Sequence, residues 1–227
     1  MAKSFRETKE EKKKRAGTIV SLLRRRYPKA TTLLHYRTPH ELLVATVLAA
    51  QSTDKKINEI TEDLFKKYRS PEDFARARQA VLEKEIKQAG FFRNKAKAVI
   101  ELSREIADRF GGKVPDNLDD LVTLRGVGRK TANVVLAAVF GKPAIVVDTH
   151  MIRVSNRMAL TSNKDPVKIE FDLMALIDKR SWSNFSFTMT LHGRQVCKAP
   201  RQICQICVVE RWCPSSTLGH GPVGHTH

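Results

Sequence analysis

Apolar positions recur along this chain at three- and four-residue intervals, and strict two-residue alternation is nearly absent. Ala16, Ile19, Val20, Leu23 and Tyr27 trace one stripe, stopped by Pro28. Ile57, Ile60, Leu64 and Tyr68 trace another, and Ala96, Val99, Ile100, Ile106 and Phe110 a third, closed by Gly111-Gly112. Thr38-Pro39-His40-Glu41 has the form of a capping box with proline at the first helical position, opening a helix that runs to Ala50. Ser70-Pro71-Glu72-Asp73 opens a short helix, and Gly90 closes one just before Phe91. Further helices are expected over 130–140, 149–158, 167–179 and 184–197. Only 144–147 has the character of a strand, and it has no evident partner. The pattern predicts an all-α protein of about ten short helices.

Composition adds a partner class. Lys and Arg number 41 against 24 Asp and Glu in 227 residues, a net charge of +17. Such an excess favours polyanions, nucleic acid above all, although charge alone also serves solubility. The Lys/Glu-rich opening lacks the apolar centre of a secretory signal. The longest apolar stretch, 42–50, is interrupted by Thr46 and falls well short of the ~20 residues that cross a bilayer. The expectation is a cytoplasmic, nucleoid-associated monomer with no membrane partner. The Gly/Pro/His-rich end, 217–227, reads as a disordered tail whose histidines are surface rather than ligands.

The chain's four cysteines crowd into 197–213 as Cys197, Cys204, Cys207 and Cys213, spaced C-x6-C-x2-C-x5-C. Clustering in an otherwise cysteine-free chain indicates one metal or cluster site, since disulfide frameworks spread along the chain that they pin. A single C-x2-C pair flanked by longer spacers fits a zinc ribbon poorly and an iron–sulfur cluster better. Zinc at the four thiolates remains the alternative.

A second segment, Leu124-Arg125-Gly126-Val127-Gly128-Arg129-Lys130-Thr131, sits between two helical stretches. Gly-x-Gly permits positive φ and removes Cβ atoms, so the backbone can approach a ligand closely. The following helix start presents free N–H groups and a positive dipole end, suited to a phosphate. With no strand before it and no third glycine, this is not a dinucleotide loop but a helix–hairpin–helix that grips DNA without sequence preference. Arg125 and Arg129 add charge. Lys130 is either a phosphate contact or a nucleophile; in a helix's first turn beside two arginines the neutral amine is favoured, and a neutral amine can form a Schiff base with a sugar carbon. Asp148 precedes the helix at 149, where aspartate is a favoured N-cap. A fixed carboxylate there would also stabilise a sugar cation and guide an attacking amine.

Taken in order, 124–135, Val147-Asp148-Thr149-His150 and the four-cysteine spacing closely resemble the endonuclease III family of DNA glycosylase/lyases in the helix–hairpin–helix superfamily. The similarity spans roughly 19–213, with further matching pieces in 41–54 and in Leu191-His192-Gly193-Arg194. It implies two helical domains flanking a DNA-binding cleft. One is a six-helix barrel over 32–142 carrying the hairpin; the other, 1–31 plus 143–216, holds a 4Fe–4S cluster. It implies Lys130 as Schiff-base lysine, Asp148 as catalytic aspartate, and Cys197, Cys204, Cys207 and Cys213 as cluster ligands. DNA contacts are implied at Leu124, Gly126, Val127, Gly128 and Arg129 of the hairpin. Lys198 and Arg201 match the backbone-touching loop between the first two ligands. Gln51 matches the glutamine that fills the gap of an extruded base; as a bland alternative it is a polar helix end. His150 aligns with a histidine beside the aspartate, where bonding local backbone is its expected job.

One departure stands out. Gly90-Phe91-Phe92 falls where the family has a Leu-Tyr pair whose leucine wedges into the duplex. Phe91 is either an aromatic wedge or core filling. The implied activity is excision of oxidised pyrimidines from damaged duplex DNA, followed by β-elimination at the abasic site. The rivals are an adenine-mispair glycosylase, disfavoured by Lys130 and by the lack of glutamate in 45–54, and a non-enzymatic DNA-binding module.

Overall fold

A computed structural model describes residues 6–219. The histidines of the expected tail, His220, His225 and His227, lie outside the described residues. In chain order the helices are α1 (Lys9–Arg26), α2 (Pro39–Leu48), α3 (Asp54–Lys67), α4 (Pro71–Ala75), α5 (Gln79–Glu85), α6 (Phe92–Phe110), α7 (Leu118–Thr123), α8 (Arg129–Ala138), α9 (Thr149–Arg157), α10 (Pro166–Leu176) and α11 (Trp182–Gln195). Four 3₁₀ turns, at Lys87–Ala89, Lys179–Ser181, Cys204–Ile206 and Glu210–Trp212, complete the regular structure among the described residues. The all-helical class follows directly, with no strand among the described residues.

The chain divides into two compact units. Thr32–Gly141 forms one, made of α2 to α8. That is seven helices where the resemblance implies six, and three of them, α4, α5 and α7, are only 5, 7 and 6 residues long. Its spine is α6, whose Ala96, Val99, Ile100 and Ile106 are buried. Phe74 of α4 is wholly buried, stacked on Tyr68 and edge-on to His40 and Phe65. Thr38 caps α2 by accepting the Glu41 N–H, as the sequence indicates, but the Glu41 carboxylate reaches back to the Arg37 N–H rather than to Thr38. Thr38 still satisfies a first-turn donor, while the Glu41 carboxylate holds the chain one residue before the cap.

The other unit joins the residues up to Thr31 with those from Lys142 onward. Its core packs α1 against α10 and α11, with α9 against α11. The whole predicted stripe of α1, Ala16 to Tyr27, is buried there beside Met151, Val154, Leu173, Phe185 and Met189. A capping box, Thr8 with Glu11, starts α1 well before the stripe begins. Residues 144–147 are buried and extended without pairing as a strand. Hydroxyls of α11 take their donors instead: Ser183 Oγ accepts the Ala144 N–H and Ser186 Oγ the Val146 N–H. A buried backbone N–H needs a partner, and here side chains supply it.

His40 gives a pH signature. It is buried against Phe74 with Nε2 2.9 Å from Ser103 Oγ, and burial pushes its pKa from 6.5 down to about 4, partly offset by the charge of Glu72. The unfolded chain therefore takes up a proton that the fold refuses as the pH drops through 6.5 toward 4. Stability is expected to fall by about 2 kcal/mol between pH 7 and pH 5 from this residue alone. Urea titrations at the two pH values check it, and His40→Gln should flatten the difference.

Candidate active site and metal centre

The hairpin is built by α7, α8 and the turn between them. Leu124 and Val127 are buried, and the Val127 N–H bonds the Leu124 carbonyl at 3.1 Å. Their side chains therefore anchor the turn, leaving only its main chain to meet a phosphate. Of the two glycines only Gly126 has positive φ, 77°. A Cβ on it would meet Ala98 Cβ at 3.0 Å, so absence of a side chain also lets the turn close on α6. Gly128 is extended, φ −88°, and nothing lies within 4 Å of its missing Cβ. As N-cap of α8 it leaves that helix start open to approach. Arg125 leans back onto Glu101 of α6, Nε to Oε2 3.2 Å. Lys130, the second residue of α8, is exposed.

Two loops of the same unit carry Gln51 and Phe91. Both residues are exposed, and both hold left-handed backbone, φ 56° and 46°. With Ala159 they are the only non-glycine residues of positive φ among the described residues. Phe91 is 64% exposed while Phe92 is half-buried, so the core-filling alternative applies to the second phenylalanine and not to the first.

Asp148 belongs to the other unit and caps α9. Its Oδ1 accepts the Met151 N–H at 2.7 Å, and its Oδ2 accepts the Thr190 hydroxyl at 3.1 Å. Both oxygens are thus fixed, yet each keeps a lone pair for a further partner. Thr190 carries no signal in the sequence, being one hydroxyl in an ordinary α11 turn. His150 is half-buried and packs on Gly193, where a Cβ would come within 2.9 Å. Its Nδ1 lies 3.1 Å from Arg153 Nη2, and burial lowers its pKa. His150 thus lies against α11, and its backbone hydrogen bond is to the distant Gly193 rather than to the local chain.

The four cysteines line a single cavity with His192, Met158, Val196 and Ile203. Among the described residues no three His, Cys, Asp or Glu side chains converge closely enough for one metal ion. Four cysteines around one cavity make an all-sulfur donor set, which suits a soft metal site. Burial pushes the Cys207 and Cys213 thiols up to about 12 and 11, aided by their neighbouring cysteines, so a bound cation is needed to hold them as thiolates. His192 is buried, its Nδ1 3.3 Å from Tyr27 Oη and its Nε2 3.5 Å from Cys207 Sγ. Burial, with Arg26, lowers its pKa to about 4, so it is a neutral ring linking the end of α1 to a sulfur. Arg157 holds the loop after Cys197: Nη1 donates to Lys198 O at 2.7 Å and to Cys197 Sγ at 3.3 Å, and Nη2 to Pro200 O at 3.3 Å. Lys198 and Arg201 on that loop are exposed.

Comparison with known proteins agrees on one lineage. Residues 44–179 match the family profile of the HhH-GPD superfamily base excision DNA repair protein. Endonuclease III of Synechocystis is 47% identical over 206 residues, covering 90% of this chain and 94% of that protein. Endonuclease III of Bacillus subtilis is 44% identical over 188 residues, covering 82% and 86%. A solved endonuclease III trapped as a covalent intermediate with DNA superposes with a TM-score of 0.86 at 38% identity, covering 94% of this chain and 99% of that one.

The Arg157 contacts predict a local change. Arg157→Met removes donors from the loop after Cys197 and should speed tryptic cleavage after Lys198 and Arg201 by about tenfold or more. Mass-spectrometric timing of those two cuts measures it; an unchanged rate would show that the loop is held by other means.

Proposed function

This chain belongs to the endonuclease III family of helix–hairpin–helix base excision repair proteins and is a DNA glycosylase with abasic-site lyase activity, and from that premise we propose that Lys130 is its nucleophile and Asp148 the carboxylate that serves it. The observation that carries the assignment is the pairing of roles by exposure. Lys130 stands free at an open helix start, whereas Asp148 is held by a hydrogen bond on each oxygen.

Extruding a nucleotide costs a few kcal/mol, less for a damaged and weakly paired base. Gln51 and Phe91 occupy the vacated space in the duplex, and the main chain at Gly126 and Gly128, with Arg129, holds the phosphates. The Lys130 amine then attacks C1′. The bond from C1′ to the base breaks, its electron pair leaves on the base, and the base takes up a proton. Loss of the amine's own proton and opening of the sugar ring give the Schiff base. Removal of a C2′ proton lets the 3′ phosphate depart with the C–O electron pair, which nicks the strand. Asp148 orients the amine, accepts its proton and offsets the positive charge growing on the sugar. Oxidised pyrimidines are the proposed substrates and nucleoid DNA the proposed setting, with the protein acting as a monomer.

Cys197, Cys204, Cys207 and Cys213 are proposed to hold a 4Fe–4S cluster, which when bound supplies the cations that keep the four thiolates charged. Arg157 and His192 support this ligand set, and the loop with Lys198 and Arg201 contacts the DNA backbone.

Borohydride trapping on an abasic duplex tests the nucleophile. Wild type should give a covalent adduct and Lys130→Ala none; an adduct that survives the substitution assigns the amine elsewhere. Thr190→Val should slow single-turnover excision about tenfold, the worth of one charge-assisted hydrogen bond. DNA affinity should stay unchanged, and an unaltered rate would mean that the N-cap bond alone orients Asp148.

A further inference from the structure

Lys95 lies in the first turn of α6 with only 6% of its surface exposed, and nothing above accounts for a buried ammonium there. Its Nζ donates to Leu48 O at 2.7 Å and to Ala89 O at 2.8 Å. Leu48 is the last residue of α2, three before Gln51. Ala89 ends the 3₁₀ turn Lys87–Ala89, two before Phe91. The Lys95 main-chain N–H also bonds the Phe91 carbonyl at 3.1 Å. One side chain therefore ties together the roots of both loops proposed to enter the duplex.

The chemistry suits an ammonium. Helix-end carbonyls carry partial negative charge, and a lysine head offers three donors that can serve two such ends at once. Each loop also carries strain: a non-glycine residue in the left-handed region costs on the order of 1–3 kcal/mol and persists only where its surroundings over-determine it. Gln51 and Phe91 are both held there. Burial lowers the Lys95 pKa, as expected for a cation removed from water.

We infer that Lys95 is a positioning residue for base extrusion, a brace that fixes the Gln51 and Phe91 loops at one mutual setting so that both enter the duplex as a unit. This rests on the proposed insertion of Gln51 and Phe91. Loss of the brace leaves the Lys130 chemistry intact and impairs only the step that empties the stack.

The test compares excision of thymine glycol from a duplex with strand elimination at an abasic site in single-stranded DNA, which requires no extrusion. Lys95→Met should lower the duplex rate by on the order of tenfold to a hundredfold, as for other remote misplacements of reacting groups. The single-strand rate should stay within about twofold, an effect too small for a lost catalytic group. Ser103→Ala, which removes a buried hydrogen bond from the same helix, serves as a stability control and should leave the ratio of rates unchanged. Lys95→Met combined with Phe91→Ala should fall no further than Phe91→Ala alone, the sign of a shared step. Should methionine not fold, Lys95→Gln carries the same comparison. A normal ratio in the Lys95 variants beside a lowered one in Phe91→Ala overturns the brace alone, as does additivity in the double variant. Normal ratios in both Phe91→Ala and Gln51→Ala overturn the insertion reading, and the brace with it.

Discussion

A buried or irregular carbonyl must find a donor, and this chain meets that demand with cations. The cysteine segment, 197–213, has only two 3₁₀ turns, so its backbone carbonyls cannot be satisfied by a helix. Three arginines serve it and the neighbouring helix ends. Arg15 of α1, 5% exposed, donates to Met158 O at 2.7 Å and to Trp212 O at 3.0 Å. Arg153 donates to Gly193 O and Cys197 O, and Arg157 to Lys198 O and Pro200 O. In the other unit Lys95 does the same for two helix ends. Guanidinium suits this work because its planar fork reaches several acceptors while staying charged.

That use of charge changes the meaning of the +17 excess. Part of it is spent inside the protein on carbonyls and is not offered to DNA. Arg15 also pairs with Glu7, and Arg125 with Glu101. Net charge remains a sound pointer to a polyanionic partner, but counting basic residues overstates the contact surface. The exposed Lys198 and Arg201 are better candidates for phosphate than the arginines that hold the backbone together.

Periodicity made the helices of this chain legible because each one buries a stripe, and side chains three and four apart must share a face. The α1 stripe, the caps at Thr38 and Ser70, and the glycine stop at 111–112 all have local causes, and all are present. The cysteine cavity was legible for the same reason, since clustering in sequence leaves few ways to separate the sulfurs. Features set by distant chain were not. Residues 144–147 look like a strand because their solution, serine hydroxyls from 183 and 186, lies some forty residues away. Thr190 beside Asp148 is silent in sequence, as is the choice of Phe91 over Phe92 for exposure. Lys95 is likewise one of 41 basic residues until its acceptors are seen.

Under the proposed assignment of Lys130 and Asp148, the labour of repair is divided between stiffness and access. Asp148 cannot swing, because two donors on two elements of its unit hold its two oxygens. A carboxylate fixed in this way need not reorganise when charge develops, which is how preorganised groups gain over solvent. As the proposed nucleophile, Lys130 has the opposite requirement: it must lose a proton, approach a carbon and carry the sugar through ring opening and elimination. A flexible stem on an exposed helix start permits those changes without disturbing α8, whose Ala132 to Ala137 are buried. Exchanging the two roles would fail on both counts, since a mobile carboxylate would need reorganising and a buried, doubly bonded amine would be unavailable as a nucleophile. The asymmetry of their surroundings is thus itself an argument for which residue attacks and which one steadies.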